Sequence, residues 1–383
     1  MLACGVLLAA CSANAASPVP PTSTPSVRPP TAVPAATPTA VSTVSAPSPS
    51  ATLTHPAATP SAAPPSGAPS ASPGASPSTP ASTPSPAGGG SITVGDAGAV
   101  DPLSRAVAAA AQAASPGLQV DFQTSEDFSA FCAGSLDAYG AARKIDAKKD
   151  AAACVKNGVE FLEFKVAINA TAVVATVADQ AIGCLAIPDL YAIFGPESTG
   201  IADWKDVSNL AATVGSDSQF DPSPLSVTGP AADAPASQLL IAKAIAPLAT
   251  QRGKDPTLRT DYTTAADDNA LIAALSSVPA GAIGWTGLST ALAHTDTVRA
   301  LRVDAGDGCV DPDAAKADSG AYALSSPLYL YVNAASAAAN PALDPFVQAY
   351  LSDDTQSSIV AALSYVPINP GDLDDARFAW ENR

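Results

Sequence analysis

Apolar positions fall into readable runs only after about residue 90. Ile92-Thr93-Val94-Gly95 is a short strand, and a turn of small residues leads to a helix from Leu103 through Ala114. Ser115-Pro116-Gly117 breaks that helix, and Leu118-Gln119-Val120-Asp121-Phe122 alternates as a second strand. Thr124-Ser125-Glu126-Asp127 reads as a helix start, with hydroxyls for the cap and acids for the first turn. From Phe131 to Ala167 the chain makes a small turn, an apolar segment (Leu136 to Ala142) and a charged, alanine-rich run holding Cys154. It ends in the strand-like Val159 to Phe164. Thr171 to Val177 is a separate, buried-type strand, and further strands are expected at Leu225–Pro230, Gly281–Trp285 and Pro327–Asn333. Helices are expected at Ile187–Phe194 and Ser237–Ala246, with another opening within Tyr262–Asn269. The strand–helix–strand–helix order implies parallel strands with helical crossovers, an α/β architecture.

Composition divides the 383 residues into two materials. The net charge is −17, and every acidic residue lies after Gly90. An acidic folded part argues against nucleic acid, whose phosphates need Lys and Arg to neutralise them. Residues 12–91 are almost wholly Pro, Ser, Thr and Ala, with Arg28 the one Lys or Arg, and read as a disordered tether. Before it, Leu8-Ala9-Ala10-Cys11 looks like a lipoprotein signal, residues 1–11, with Cys11 the lipidated residue. No basic residue precedes the apolar run, so the true start is expected upstream of Met1. The alternative is a secretory signal cut near Ala15 or Ala16, giving a secreted protein. Four cysteines, Cys132, Cys154, Cys184 and Cys309, lie in the folded part, and three pairings are open.

The run Phe131-Cys132-Ala133-Gly134, with Asp137 and then Arg143, resembles the first lobe of the PstS-type phosphate-binding proteins of ABC uptake systems. Asp203-Trp204-Lys205-Asp206-Val207 resembles a packing turn of the same family, and the likeness runs over nearly all of Ile92 to Ile368. It implies a two-lobed periplasmic-binding-protein type II fold: mixed sheets flanked by helices, an interlobe cleft and two crossing strands. Lobe 1 is then residues 92–170 and 301–383, and lobe 2 residues 171–300. It also implies disulfides Cys132–Cys154 and Cys184–Cys309, a small-molecule or anion ligand, an ABC permease as partner, a monomer and no cofactor. Localisation is then extracytoplasmic, with the membrane reached through the lipid on Cys11.

Family ligands are carried over position by position. The first loop, Gly-Ser-Ser-Thr in the family, is Asp96-Ala97-Gly98-Ala99 here, and the second is Thr124-Ser125-Glu126-Asp127. The family Ser-Arg reads Ala142-Arg143, and its Thr-Asp-Ser-Gly-Thr reads Ala232-Asp233-Ala234-Pro235-Ala236, where Pro235 deletes an N–H. Thr124, Arg143 and Asp233 survive. Each donor lost to a charged ligand is worth about 1.5–3 kcal/mol, so five such losses predict weak or no phosphate binding. Asp96, Asp101, Glu126 and Asp127 suggest a neutral or cationic ligand instead. Arg143 is divided evenly between a ligand role and an ion pair, and Asp137 is read as structural.

Catalysis has little support. His55 and His294 are the only histidines, and no nucleophile elbow, zinc-helix or phosphate-loop motif occurs. No Cys-x-x-Cys pair points to a metal. The chain therefore reads as a solute-binding protein, the alternative being a surface adaptor, sensor or scaffold on the same fold. Asn169-Ala170-Thr171 matches a glycosylation acceptor but is discounted on an expected strand.

Overall fold

The computed structural model describes residues 89–96, 98–278 and 280–383. The signal segment, Cys11, nearly all of the tether and Ala97 lie outside the described residues. The strands are β1 (Gly90–Asp96), β2 (Leu118–Thr124), β3 (Ala138–Ala141), β4 (Phe161–Thr176), β5 (Cys184–Ala186), β6 (Ser226–Gly229), β7 (Thr263–Thr264), β8 (Ala282–Gly287), β9 (Val298–Ala300), β10 (Arg302–Asp304), β11 (Cys309–Val310) and β12 (Ser325–Asn333). Nine of them form one mixed sheet in the order β2-β1-β3-β12-β4-β8-β6-β7, with β9 also on β4. A small sheet, β11-β10-β5, stands apart.

β4 holds the large sheet together. Its first ten residues run antiparallel to β12 and its last six to β8 and β9. The sequence reading made two strands of this stretch. They are one because β12 and then β8 pair with the stretch on either side of Ala170, and from Val166 on the strand is buried. The expected parallel order appears in β1, which pairs in parallel with β2 and β3, and in β6 with β8.

Nine helices carry labels here: α1 (Asp101–Ala114), α2 (Ser129–Cys132), α3 (Asp150–Lys156), α4 (Ile187–Phe194), α5 (Trp204–Thr213), α6 (Pro235–Leu240), α7 (Ala246–Gln251), α8 (Asp268–Ser276) and α9 (Leu288–Ala293). α6 continues through a π turn into α7, so the helix expected from Ser237 is longer at both ends. α1 buries Leu103, Val107, Ala108 and Ala111, one stripe at helical spacing, on the sheet. Each such Leu or Val contributes about 1.5–3 kcal/mol. The expected helix start at Thr124 to Asp127 is displaced: Thr124 is the last residue of β2, and Asp127 Oδ1 accepts the Ser129 N–H at 2.9 Å just before the short α2. The extended ladder with β1 reaches Thr124 and so delays the turn.

Three apolar clusters fill the fold. One lies between β1, β4, β12, α1 and the helix Leu343–Tyr350; a second gathers α4, α5 and Trp285. The third packs Phe128, Phe131, Tyr139 and Tyr331 around Cys132–Cys154. Both disulfides pair as the resemblance implied. No helix among the described residues is long and apolar enough to cross a membrane.

Candidate functional site

Of the four loops carried over from the sequence, one bonds the middle of β4 directly and two are tied to it through its neighbours. Asn169 faces Ser326 across the β4–β12 ladder, and the Ser326 hydroxyl donates to the Ala142 carbonyl at 3.0 Å. The Asn169 amide donates to the Pro235 carbonyl at 3.3 Å and the Thr171 hydroxyl to Ala236 at 2.9 Å, which fixes the turn before α6. A C-terminal segment pairs with β4 through an Ile168–Val366 bridge, and the neighbouring Tyr365 hydroxyl donates to the Ala99 carbonyl at 2.6 Å. This closes a cavity of about 140 Å³ whose wall includes Asn169, Ala234, Pro235, Asp268, Ser364 and Tyr365.

Asp268, in the first turn of α8, is the charged group of that wall. Its Oδ1 accepts the Thr286 hydroxyl at 2.9 Å, and its Oδ2 accepts those of Thr290 at 2.5 Å and Ser364 at 2.6 Å. Those donors come from β8, α9 and the C-terminal turn, so one carboxylate ties three elements together. Ser364 sits at φ 62, a left-handed conformation that costs a serine energy. Gly287 permits its approach, since a Cβ there would stand 2.5 Å from the Ser364 carbonyl oxygen.

The other candidates are placed differently. Arg143 turns away: its guanidinium bonds Asp150 Oδ2 at 2.6 Å and covers the Phe128 ring at 4.8 Å. Burial raises the Asp150 carboxyl, but Arg143 and the Asp146 N–H hold it on balance below its ordinary value. Thr124, Gly98 and Asp233 are exposed. The Ser125 hydroxyl bonds the Asp127 carbonyl at 2.8 Å and so serves its own turn. Asp137 accepts the Thr93 N–H at 2.8 Å, a structural role as expected. Of the four acids that suggest a neutral or cationic ligand, Glu126 is exposed and the other three are engaged locally. Asp101 pairs with Arg105, Asp127 caps a turn, and Asp96 is buried with one oxygen on the Ser104 hydroxyl at 2.7 Å. Asp96 turns inward because Gly140, lacking a Cβ, leaves space beside it.

A sequence model described as a PBP superfamily domain matches residues 81–354. The chain belongs to the PBP superfamily. Among curated relatives it is 26% identical over 284 residues to Protein SphX of Synechocystis sp., covering 73% of this chain and 78% of that one. It is 28% identical to Protein SphX of Synechococcus elongatus, over 72% of this chain and 77% of that relative. Among solved structures it is similar to a "possible phosphate binding protein" from Planctomyces limnophilus, with a TM-score of 0.63 and 24% identity, covering 77% of this chain and 98% of the other. PstS from Borrelia burgdorferi superposes with a TM-score of 0.51 at 14% identity, over 73% and 99%. The PstS-type resemblance and the type II fold read in the sequence therefore hold.

On this PBP scaffold the sequence marks the Ala234-Pro235-Ala236 part of the cavity wall but not its polar groups, Asn169 and Asp268. Asn169 was weighed only as a glycosylation acceptor; it lies in β4 and is 4% exposed. Asp268 was read only as part of a helix start. The contacts that give it a role span 18 to 96 residues of chain, and the local pattern carries no signal of them.

Proposed function

We propose that this chain is the extracytoplasmic solute-binding component of an ABC-type importer whose phosphate ligands have been lost. On this reading residues 92–170 and 301–383 form one lobe and 171–300 the other, Cys11 carries the lipid, and residues 12–91 span from membrane to fold. The binding protein works as a monomer with a permease partner. Two disulfides suit an oxidising compartment.

The carrying observation is the cavity wall. The Ala234-Pro235-Ala236 loop lines it, yet the wall holds a carboxylate, Asp268, and no Lys or Arg among the described residues. The surviving guanidinium, Arg143, is committed to Asp150. An oxyanion would meet a negative wall with its hydroxyl donors already used, which supports the reading that the phosphate cup is lost. Titration calorimetry of the full chain with inorganic phosphate at low salt checks this. The expected dissociation constant is weaker than about 1 mM, equivalent to about 4 kcal/mol or less. A micromolar value would overturn the reading.

A further inference from the structure

The reading just given leaves the ligand class open, and the inference here rests on it. Asn169 is 4% exposed and lines the cavity. Its donation from Nδ2 to the Pro235 carbonyl fixes the orientation of the amide and turns Oδ1 the other way. Among the described residues nothing donates to Oδ1, which keeps some accessible surface, and the residue lines the cavity. Asp268 shares the wall and has no Lys, Arg or His within ion-pair distance among the described residues. Three hydroxyls and the N-terminus of α8 stabilise the carboxylate, and no cationic side chain cancels its negative charge. A neutral polyol would satisfy Asn169 and leave the charge; an anion would be repelled by it. A ligand that carries both positive charge and N–H donors answers both groups. The cavity, of about 140 Å³, is of a size for a small compound.

We propose that this cavity binds a small primary ammonium compound, its N–H donors shared between Asn169 Oδ1 and the Asp268 carboxylate. The probe is ethanolammonium chloride, titrated calorimetrically into the full chain, with ethylene glycol as an uncharged control of similar size. Ethanolammonium is expected to bind at about 1 mM or tighter, and ethylene glycol at least tenfold more weakly. Asp268→Asn and Asn169→Leu should each lower ethanolammonium affinity about tenfold while melting remains cooperative. Asp268 also ties three elements together, so where its variant does not fold, Asn169→Leu decides alone. Absence of ethanolammonium binding at about 10 mM would overturn the proposal. So would equal binding of ethylene glycol, or unchanged affinity in a folded variant. Micromolar phosphate binding would instead bring down the functional reading beneath it. Silence toward both phosphate and ethanolammonium would sink this inference alone.

Discussion

The Asp96 carboxyl ends β1 in a place water barely reaches. One oxygen accepts the Ser104 hydroxyl, itself bonded to the buried Tyr350 hydroxyl, and the other has no partner among the described residues. Burial pushes the group from 3.8 to about 7; the Ser104 bond pulls it back, Asp101 adds to the rise and Arg105 opposes it. Because the folded value lies above the unfolded one, the native state binds the extra proton. Stability from this group is whole below about pH 4 and drains away as pH rises through about 7. A shift of some three units corresponds to about 4 kcal/mol at most. Glu197 and Asp261 run the other way. Arg252 and Arg259 respectively hold their carboxyls at about 2, so their contribution is lost only as pH falls toward that value. Asp96→Asn should therefore leave urea stability at about pH 3.5 nearly unchanged and raise it at pH 8 by about 2–4 kcal/mol. An equal shift at both pH values would show that Asp96 does not hold its proton in the native state.

The two disulfides bind elements over very different spans. Cys132–Cys154 closes 22 residues within the small aromatic cluster, fastening α2 to α3. Cys184–Cys309 closes 125 residues and fastens β5 to β11 at the two edges of the small sheet, with β10 between them. By loop-closure entropy the first is worth about 3 kcal/mol and the second about 5. Paired Cys→Ser substitutions measured by urea unfolding should rank in that order. The reverse order would mean that packing around Phe131 and Tyr139, rather than chain entropy, sets the cost. Elements of this kind were the most legible part of the sequence, because glycine, proline and apolar period announce them locally. β1, α1, β2 and α4 fall within a few residues of their expected bounds. The misread pieces share one cause, which is that a tertiary neighbour extends a strand: β1 draws Thr124 into a ladder, and β12 with β8 continues β4 past an irregularity at Val166. The site was half legible for the same reason. Loop positions Ala99, Ala142 and Pro235 follow strand order, whereas Asn169, Asp268 and Ser364 meet only because distant strands pair.

Charge belongs to the molecule as a whole. Of the 18 Lys and Arg only Arg28 precedes Gly90, whereas all 35 acids follow it, so the folded part carries an excess of 18 negative charges. Against that repulsion stand ion pairs such as Arg105–Asp101 at 2.7 Å and Arg377–Asp353 at 2.7 Å, with the carboxylate of the second 85% exposed. Exposed pairs of this kind contribute about 0–1 kcal/mol each. The repulsion acts over the whole surface, so screening has more of it to remove. Raising salt from about 0.01 to 0.15 M shortens the Debye length from about 30 to about 8 Å. That leaves 3 Å contacts largely intact but cuts interactions across the molecule. The melting temperature should therefore rise by several degrees between those two salt concentrations, at pH 7 and with no phosphate in the buffer. A fall would mean that the paired charges, and not the unpaired excess, dominate the electrostatics of the fold. In that case the acidic surface would add little long-range attraction for a cationic ligand approaching Asp268.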